Sequence, residues 1–361
     1  MDTPDFIFKG IKNRAENGTT AWKAPSNIAI VKYWGKKGDQ IPANASLSLT
    51  LDACNTHTAV DFRLRQKGEK REVKFYFEGK EAPAFGEKSF LFMQKIRGFQ
   101  PFLQDYHLTI NTQNSFPHSS GIASSASGMS ALALCLMSLE SELAGGYDAD
   151  YFYKKASFLA RIGSGSAARS VYGKTVVWGN HADFSNSSNL YAVPHRDKVH
   201  PVFDTFNDVI LLVHKGAKSV SSTAGHAALN NHPFAVSRYA EADKNMALLK
   251  NILSAGDVEA FGELAEREAL MLHALMMAGP QPFILMKPET LAVLHAVRAF
   301  RAQTKTPLYF TLDAGANVHL LFPDEVRKKV LNFIEGELVV YCENKQYICD
   351  RAGNGPENTA I

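Results

Sequence analysis

Cysteine is scarce and unpatterned in this chain. Four thiols, Cys54, Cys135, Cys342 and Cys349, occur in 361 residues, with no CxxC pair. That argues against a disulfide framework and against structural zinc, and predicts reduced thiols in a cytoplasmic protein. Long apolar runs are missing too. None approaches the roughly 20 residues that span a bilayer. Met1 to Ala21 is polar and mixed in charge, without the apolar stretch of a secretory signal. A soluble, cytoplasmic protein is therefore expected. Charge of either sign is not in excess: 39 basic residues face 36 acidic ones, a formal net charge of +3. This is too slight to predict a nucleic-acid surface, but it leaves room for a local basic pocket that takes an anionic small molecule. The histidines His195, His200, His226 and His232 show no metal spacing, and the expectation is surface or structural roles. No Gly-Lys-Ser/Thr opens a helix, so the common P-loop is absent, and no Ser/His/Asp or Cys/His order stands out.

What is there is an ordinary globular composition, 45% apolar and 21% charged, long enough for two domains. Strands are predicted between Ala24 and Thr58, where Ile28 to Val31 is an apolar run and Leu47, Leu49 and Leu51 alternate with polar residues. Further strands are expected over Glu72 to Glu78, Tyr106 to Asn111 and Thr175 to Trp178, and a helix over Ser89 to Phe99. Met129, Leu132, Ala133, Leu136, Leu139 and Leu143 recur at helical spacing, and Gly145-Gly146 ends that helix. Another helix is expected over Tyr151 to Ile162. A polar stretch, Asn186 to Thr205, marks a boundary, giving domains 1–203 and 204–361. Val209 to Val213 has the pattern of a strand buried on both faces. Helices follow near Pro233 to Ala255, Val258 to Ala278 and Pro288 to Thr304. Strands at Leu308 to Leu312 and Val318 to Phe322 flank the turn Asp313 to Asn317. A last helix, Asp324 to Glu335, and a strand near Gln346 to Asp350 close the chain. Strands and helices mix without strict alternation, so the class is α+β.

Three Ser- and Gly-rich segments precede predicted helices. The first, Ser115 to Gly128, aims small hydroxyls and backbone N–H groups at the positive end of a helix dipole, which suits a phosphate. The second, Gly163-Ser164-Gly165-Ser166-Ala167-Ala168-Arg169-Ser170, adds a planar guanidinium that can grip a carboxylate or phosphate in two places. The third is Lys218-Ser219-Val220-Ser221-Ser222-Thr223. Together they point to a ligand with several phosphates. Lys32 and Lys36 bracket Tyr33-Trp34-Gly35 after an apolar strand. A solvated cluster is the usual fate of such lysines, and a pocket edge is the alternative. Asp313 sits in a turn where Asp is common for backbone reasons. At a strand end beside lysines it could instead take a proton from a hydroxyl.

In this order the segments resemble the diphosphomevalonate decarboxylases, within the superfamily of galactokinase, homoserine kinase, mevalonate kinase and phosphomevalonate kinase. The resemblance runs from Ala24 almost to the C-terminus. It is carried by Ala24-Pro25-Ser26-Asn27-Ile28-Ala29 with Lys32-Tyr33-Trp34-Gly35-Lys36, by Asn44-Ala45-Ser46-Leu47-Ser48, and by the three loops. Thr311-Leu312-Asp313-Ala314-Gly315 and Gly353-Asn354-Gly355-Pro356 complete it. It implies an N-terminal mixed α/β domain, a ferredoxin-like C-terminal α+β domain, and an active site in the cleft between them. The implied activity is ATP-dependent phosphorylation of the 3-hydroxyl of 5-diphosphomevalonate. Loss of phosphate and CO₂ then yields isopentenyl diphosphate. The relatives include enzymes that act on the monophosphate or stop at phosphorylation. By the resemblance Asp313, Lys32 and Arg169 are catalytic, and Tyr33, Lys36, Ser164, Ser166 and Ser222 bind substrate. Ser119, Ser120, Gly121, Ala123, Ser124, Ser125 and Ser127 cradle the ATP phosphates with Mg²⁺. No metal ligand is named by the sequence, and a homodimer is expected. Three departures stand out: His118-Ser119-Ser120 in the first loop where the family has Thr-Ala-Ala, Ala316 where Pro is usual, and His226 where Met is common.

Overall fold

The computed structural model of the chain describes residues 1–38, 40–117, 122–216, 225–226, 229 and 231–360. Two sheets organise it. The larger has eight strands. Its centre is a pair of long antiparallel strands, β1 (Asn17–Val31) and β4 (Ser46–Leu64), in register from Asn17↔Arg63 to Val31↔Leu47 with two irregularities. A short hairpin, β2 (Lys36–Lys37) with β3 (Ile41–Pro42), lies between them in sequence. β7 (Tyr106–Asn114) extends the sheet from β4, and β5 (Val73–Phe77) with β6 (Lys80–Glu81) completes that edge. β8 (Thr175–Trp178) pairs with the first residues of β4, and β9 (Ala192–Pro194) pairs with β8.

Three helices serve this half: α1 (Pro83–Ile96), α2 (Ser124–Ala144) and α3 (Ala149–Gly163). Helix α1 starts six residues before the predicted Ser89, at a proline suited to the first helical turn. Leu132, Ala133, Leu136, Leu139 and Leu143 of α2 are buried as predicted. The alternation Leu47, Leu49, Leu51 predicts one wet face, yet Ser46, Ser48 and Thr50 are buried as well. Their burial is tolerable largely through hydrogen bonds: Ser46 donates to the Trp178 carbonyl and Thr50 to that of Tyr172.

The smaller sheet is antiparallel, in the order β11-β12-β10-β13, from β10 (Asn207–Leu211), β11 (Tyr309–Thr311), β12 (Val318–Phe322) and β13 (Tyr347–Arg351). In chain order this is second-third-first-fourth, the ferredoxin-like arrangement. Helices α4 (Ala235–Ala255), α5 (Val258–Ala278) and α6 (Pro288–Thr304) connect its first two strands, and α7 (Arg327–Phe333) leads to its last. The predicted last helix is α7 preceded by a 3₁₀ turn and followed by a π turn, Ile334–Leu338. One core fills the larger half and reaches into α4 and α5 through Met246, Leu249 and Phe261. A second lies around Val209, Leu211, Phe310 and Leu320.

The halves are also stitched by polar bonds and by the chain end. Asp350 of β13 accepts from the backbone N–H groups of Asp52, Ala53 and Cys54 in β4. Beyond β13, Gly353 donates to the Thr50 carbonyl, and β14 (Glu357–Asn358) pairs with β1. All four cysteines are free thiols, and only Cys349 is exposed. No described helix is long and apolar enough to cross a membrane.

Candidate active site

A cleft of about 780 Å³ runs between the two halves, lined by residues from β1, α1, α2, the Gly163–Arg169 segment and the Asp313 turn. Strand β1 ends at Val31, and the next residue, Lys32, turns its side chain into the protein, 1% exposed. Its ammonium lies 3.3 Å from Asp313 Oδ1. The predicted alternatives for both residues are thereby resolved in geometry: Lys32 is not a solvated lysine, and Asp313 faces it across the cleft rather than serving the turn alone. Burial pulls the Lys32 ammonium below its ordinary range, and Asp313, Glu268 and Asp208 act against that shift. His273, on α5, is bonded through Nε2 to the Asp313 carbonyl at 3.1 Å. Burial holds its own pKa down to about 4, so it is a neutral donor.

Arg169 sits in the 3₁₀ turn Gly165–Val171 and is 3% exposed. Its Nη1 donates to Ser46 Oγ at 2.7 Å and its Nε to Asn27 Oδ1 at 3.2 Å. Asn27 is held in turn by the Ser170 hydroxyl. Burial lowers the guanidinium to about 10, so it stays charged at neutral pH. Gly165 is required at its position. A Cβ there would lie 2.8 Å from Tyr33 Oη and 2.9 Å from Trp178, so any side chain would push Tyr33 off its seat. The Tyr33 hydroxyl is buried with no hydrogen-bond partner among the described residues, and Tyr33 lines the cleft. Such a group is open to a water or a ligand atom in the cleft.

Lys36, Ser164 and Ser166 also line the cleft, as do Ala123, Ser124 and Ser125 at the start of α2. Ala123 is left-handed (φ 47°), and among the described residues no side chain caps the helix. The Ala126 N–H is taken by the Ala123 carbonyl at 2.7 Å, so within the first turn it is the Ser124 and Ser125 N–H groups that are left for a ligand, without a partner among the described residues. Ser125 approaches Ser164 at 3.5 Å, which joins the first two loops. Ser127 does not share this position: it is fully buried, with its hydroxyl 2.7 Å from Thr56 Oγ1. Ser119, Ser120, Gly121 and Ser222 lie outside the described residues. The cleft is also walled by Phe75, Phe77, Leu91 and Phe92, with Lys88 and Lys95.

The expected surface or structural role of His226 takes a specific form. Its ring packs between Tyr33 and Trp34, 4.4 and 4.7 Å away, and Nδ1 accepts from the Gly35 N–H at 3.1 Å. It lines the cleft and, with its pKa pushed down to about 3 by burial first and then by Lys36 and Arg169, is a neutral donor at Nε2. The lone-histidine spacing carries no signal for this, and only the family departure from Met marks the position.

Residues 24–190 match the profile of the diphosphomevalonate decarboxylase-like N-terminal domain, and residues 208–358 that of the mevalonate 5-diphosphate decarboxylase C-terminal domain. A phosphomevalonate decarboxylase of Haloferax volcanii is 30% identical over 307 residues, 84% of this chain and 88% of the relative. The chain belongs to the mevalonate diphosphate decarboxylase family. Solved members superpose over nearly their whole length. A Staphylococcus aureus mevalonate diphosphate decarboxylase is 29% identical with a TM-score of 0.81, covering 95% of this chain and 98% of that one. A complex described as MDDEF with MVAPP, AMPPCP and magnesium is 28% identical with a TM-score of 0.81, covering 96% and 100%. The family's two-domain α+β fold is the one built here from the two sheets, and the cleft of this decarboxylase family member lies between them.

Proposed function

We propose that this protein uses ATP to decarboxylate 5-diphosphomevalonate, giving isopentenyl diphosphate, ADP, phosphate and CO₂. The observation that carries the reading is the Lys32–Asp313 pair in a cleft that also holds Arg169 and the uncapped start of α2. Domains 1–203 and 204–361 supply the two walls.

The roles rest on the family resemblance, supported for Lys32, Arg169 and Asp313 by their place in the cleft. Asp313 accepts the proton of the 3-hydroxyl as its oxygen attacks the γ-phosphorus of ATP and the bond to ADP breaks. Lys32 offsets charge on the phosphoryl group in flight, a reaction governed by positioning and charge. Arg169 holds the substrate carboxylate in its planar fork. Once phosphorylated, the tertiary oxygen leaves with its electron pair as phosphate. The C1–C2 pair then becomes the new double bond and CO₂ departs. Tyr33, Lys36, Ser164, Ser166 and Ser222 hold the substrate. Ser119, Ser120, Gly121, Ala123, Ser124, Ser125 and Ser127 form the phosphate loop, with Ser127 supporting it through Thr56. The apolar wall of Phe75, Phe77, Leu91 and Phe92, with Lys88 and Lys95, suits the base and ribose of the nucleotide.

Mg²⁺ accompanies the nucleotide and neutralises phosphate charge. The hydroxyl oxygens at the α2 start are the hard donors such an ion takes, alongside phosphates and water. We place the enzyme in the cytoplasm as a homodimer.

A second reading, decarboxylation of the 5-monophosphate, has one observation behind it: the Haloferax relative is named for that substrate. Parallel assays with mevalonate, its 5-phosphate and its 5-diphosphate, following ADP and CO₂ together, separate the readings. Greater kcat/KM on the monophosphate would replace the first with the second.

A further inference from the structure

We propose that Glu268 and Arg238 are positioning residues for Lys32: an ion pair of the C-terminal half that grips both backbone groups of this N-terminal residue and holds its ammonium opposite Asp313. The inference rests on the proposed function for its catalytic readout.

Strand pairing ends one residue before Lys32, at Val31↔Leu47. Past that point the Lys32 peptide groups have no ladder to join, and buried peptide groups need partners. The partners come from α4 and α5. Glu268 Oε2 accepts the Lys32 N–H at 2.9 Å. Arg238 Nη2 donates to the Lys32 carbonyl at 3.1 Å, and Asn44 adds a second donor at 3.0 Å. Arg238 and Glu268 are locked to each other by two bonds, 3.0 and 2.6 Å, and Asn245 donates to Glu268 at 2.6 Å. Glu268 is 0% exposed and Arg238 4%.

A buried ion pair is poor value as a stabiliser, because desolvating both charges offsets their attraction. It does fix geometry, since both Nη groups of Arg238 and both Glu268 oxygens are each bonded to a set partner. A lysine has four rotatable side-chain bonds, so its ammonium is only as well placed as its backbone. The clamp sets that backbone from the opposite wall of the cleft. It also puts an anion near a buried cation. The charged and titratable groups facing Lys32 are Asp313, Glu268 and Asp208, which favour its ammonium, with Arg238 and His273 beside it.

The test is Glu268→Gln in the full-length enzyme, with Asn245→Ala and Arg238→Lys beside it. Misplacing one reacting group costs up to about a hundredfold in rate, so kcat of Glu268→Gln should fall about ten- to a hundredfold. KM for Mg-ATP and for the substrate should hold within about threefold, as the loss falls on the transition state. The alkaline limb of the kcat profile should move to lower pH, because the ammonium has lost a supporting anion. Asn245→Ala keeps the charge, and should lower kcat less without moving that limb. Arg238→Lys lacks the fork and should lower kcat even though the charge remains. If Glu268→Gln does not fold, the latter two carry the test, and wild-type kcat in both overturns the proposal. So does a folded Glu268→Gln whose kcat and alkaline limb are unchanged. One readout needs no turnover: the Lys32 ammonium followed by NMR, assigned through Lys32→Met. Its titration midpoint should drop in Glu268→Gln, and an unmoved midpoint overturns the inference. A wild-type protein that releases no CO₂ defeats only the proposed function.

Discussion

Lys32 and Asp313 stand 3.3 Å apart, one at the end of a strand in the larger sheet and the other in the turn between two strands of the smaller. The pair exists only when the halves are docked. Both residues are tied from behind by the smaller half: Lys32 through Glu268 and Arg238, and Asp313 through His273 on its carbonyl. The chemistry assigned to the cleft is therefore a property of the interface between the halves.

Asp313→Asn keeps the shape of the turn and removes the proton acceptor. Turnover should fall by at least about 10², the lower range for loss of a general base. Steady-state ADP release checks this. Near-normal turnover would return Asp313 to a turn role alone.

Arg169→Lys keeps a cation but cannot donate to Ser46 and Asn27 and still present a second edge to a carboxylate. A rise of about tenfold or more in the KM for the phosphorylated substrate is expected, as a charge-assisted bond is worth about 1.5 kcal/mol or more. The KM for ATP should stay near wild type. Unchanged constants for both substrates would remove Arg169 from the substrate site.

Acid should destabilise the fold through its buried neutral histidines. His273 and His226 have pKa values depressed by burial to about 4 and about 3. The unfolded chain, with histidines near 6.5, binds more protons below that pH, so stability is full above 6.5 and is lost as pH falls toward 4. His273 alone would account for about 3 kcal/mol over that window. Urea midpoints at pH 7, 5.5 and 4.5 should fall in that order, and His273→Asn should flatten the slope. An equal slope in the variant would contradict the assignment.

Gly173 lies directly under the Asn354 carbonyl of the returning C-terminal segment, with no room for a Cβ. Gly173→Ala should cost about 1–3 kcal/mol, the usual penalty of overpacking. Protease sensitivity after Arg351 should rise as the segment lifts from β1. A variant as stable and as resistant as wild type would show that the segment yields freely.

Periodicity made most elements legible. The helical spacing of α2 and the apolar runs of β11 and β12 sit where their patterns place them, while β10 (Asn207–Leu211) begins and ends two residues before its apolar run Val209 to Val213. Asp313 was recognisable because its turn lies between two such runs. Glu268, Arg238 and His273 were not, since a Glu or Arg on a helix ordinarily reads as a solvated face. Their burial comes from partners up to 236 positions away in sequence. Ser46 and Ser48 misled in the same way: alternation measures one sheet face, and on the Ser46 and Thr50 side the strand is met by Arg169, Tyr172 and Trp178 of the same half. His226 gave no local signal, because its environment is built from Tyr33, Trp34 and the Gly35 N–H across the fold.

The central claim is the coupling of phosphoryl transfer to loss of CO₂, and one assay bears on it most directly. The purified enzyme is given Mg-ATP and mevalonate 5-diphosphate, and ADP and CO₂ are followed in the same reaction. The account predicts one CO₂ for each ADP, with both lost together in Asp313→Asn. ADP formed without CO₂ would contradict it.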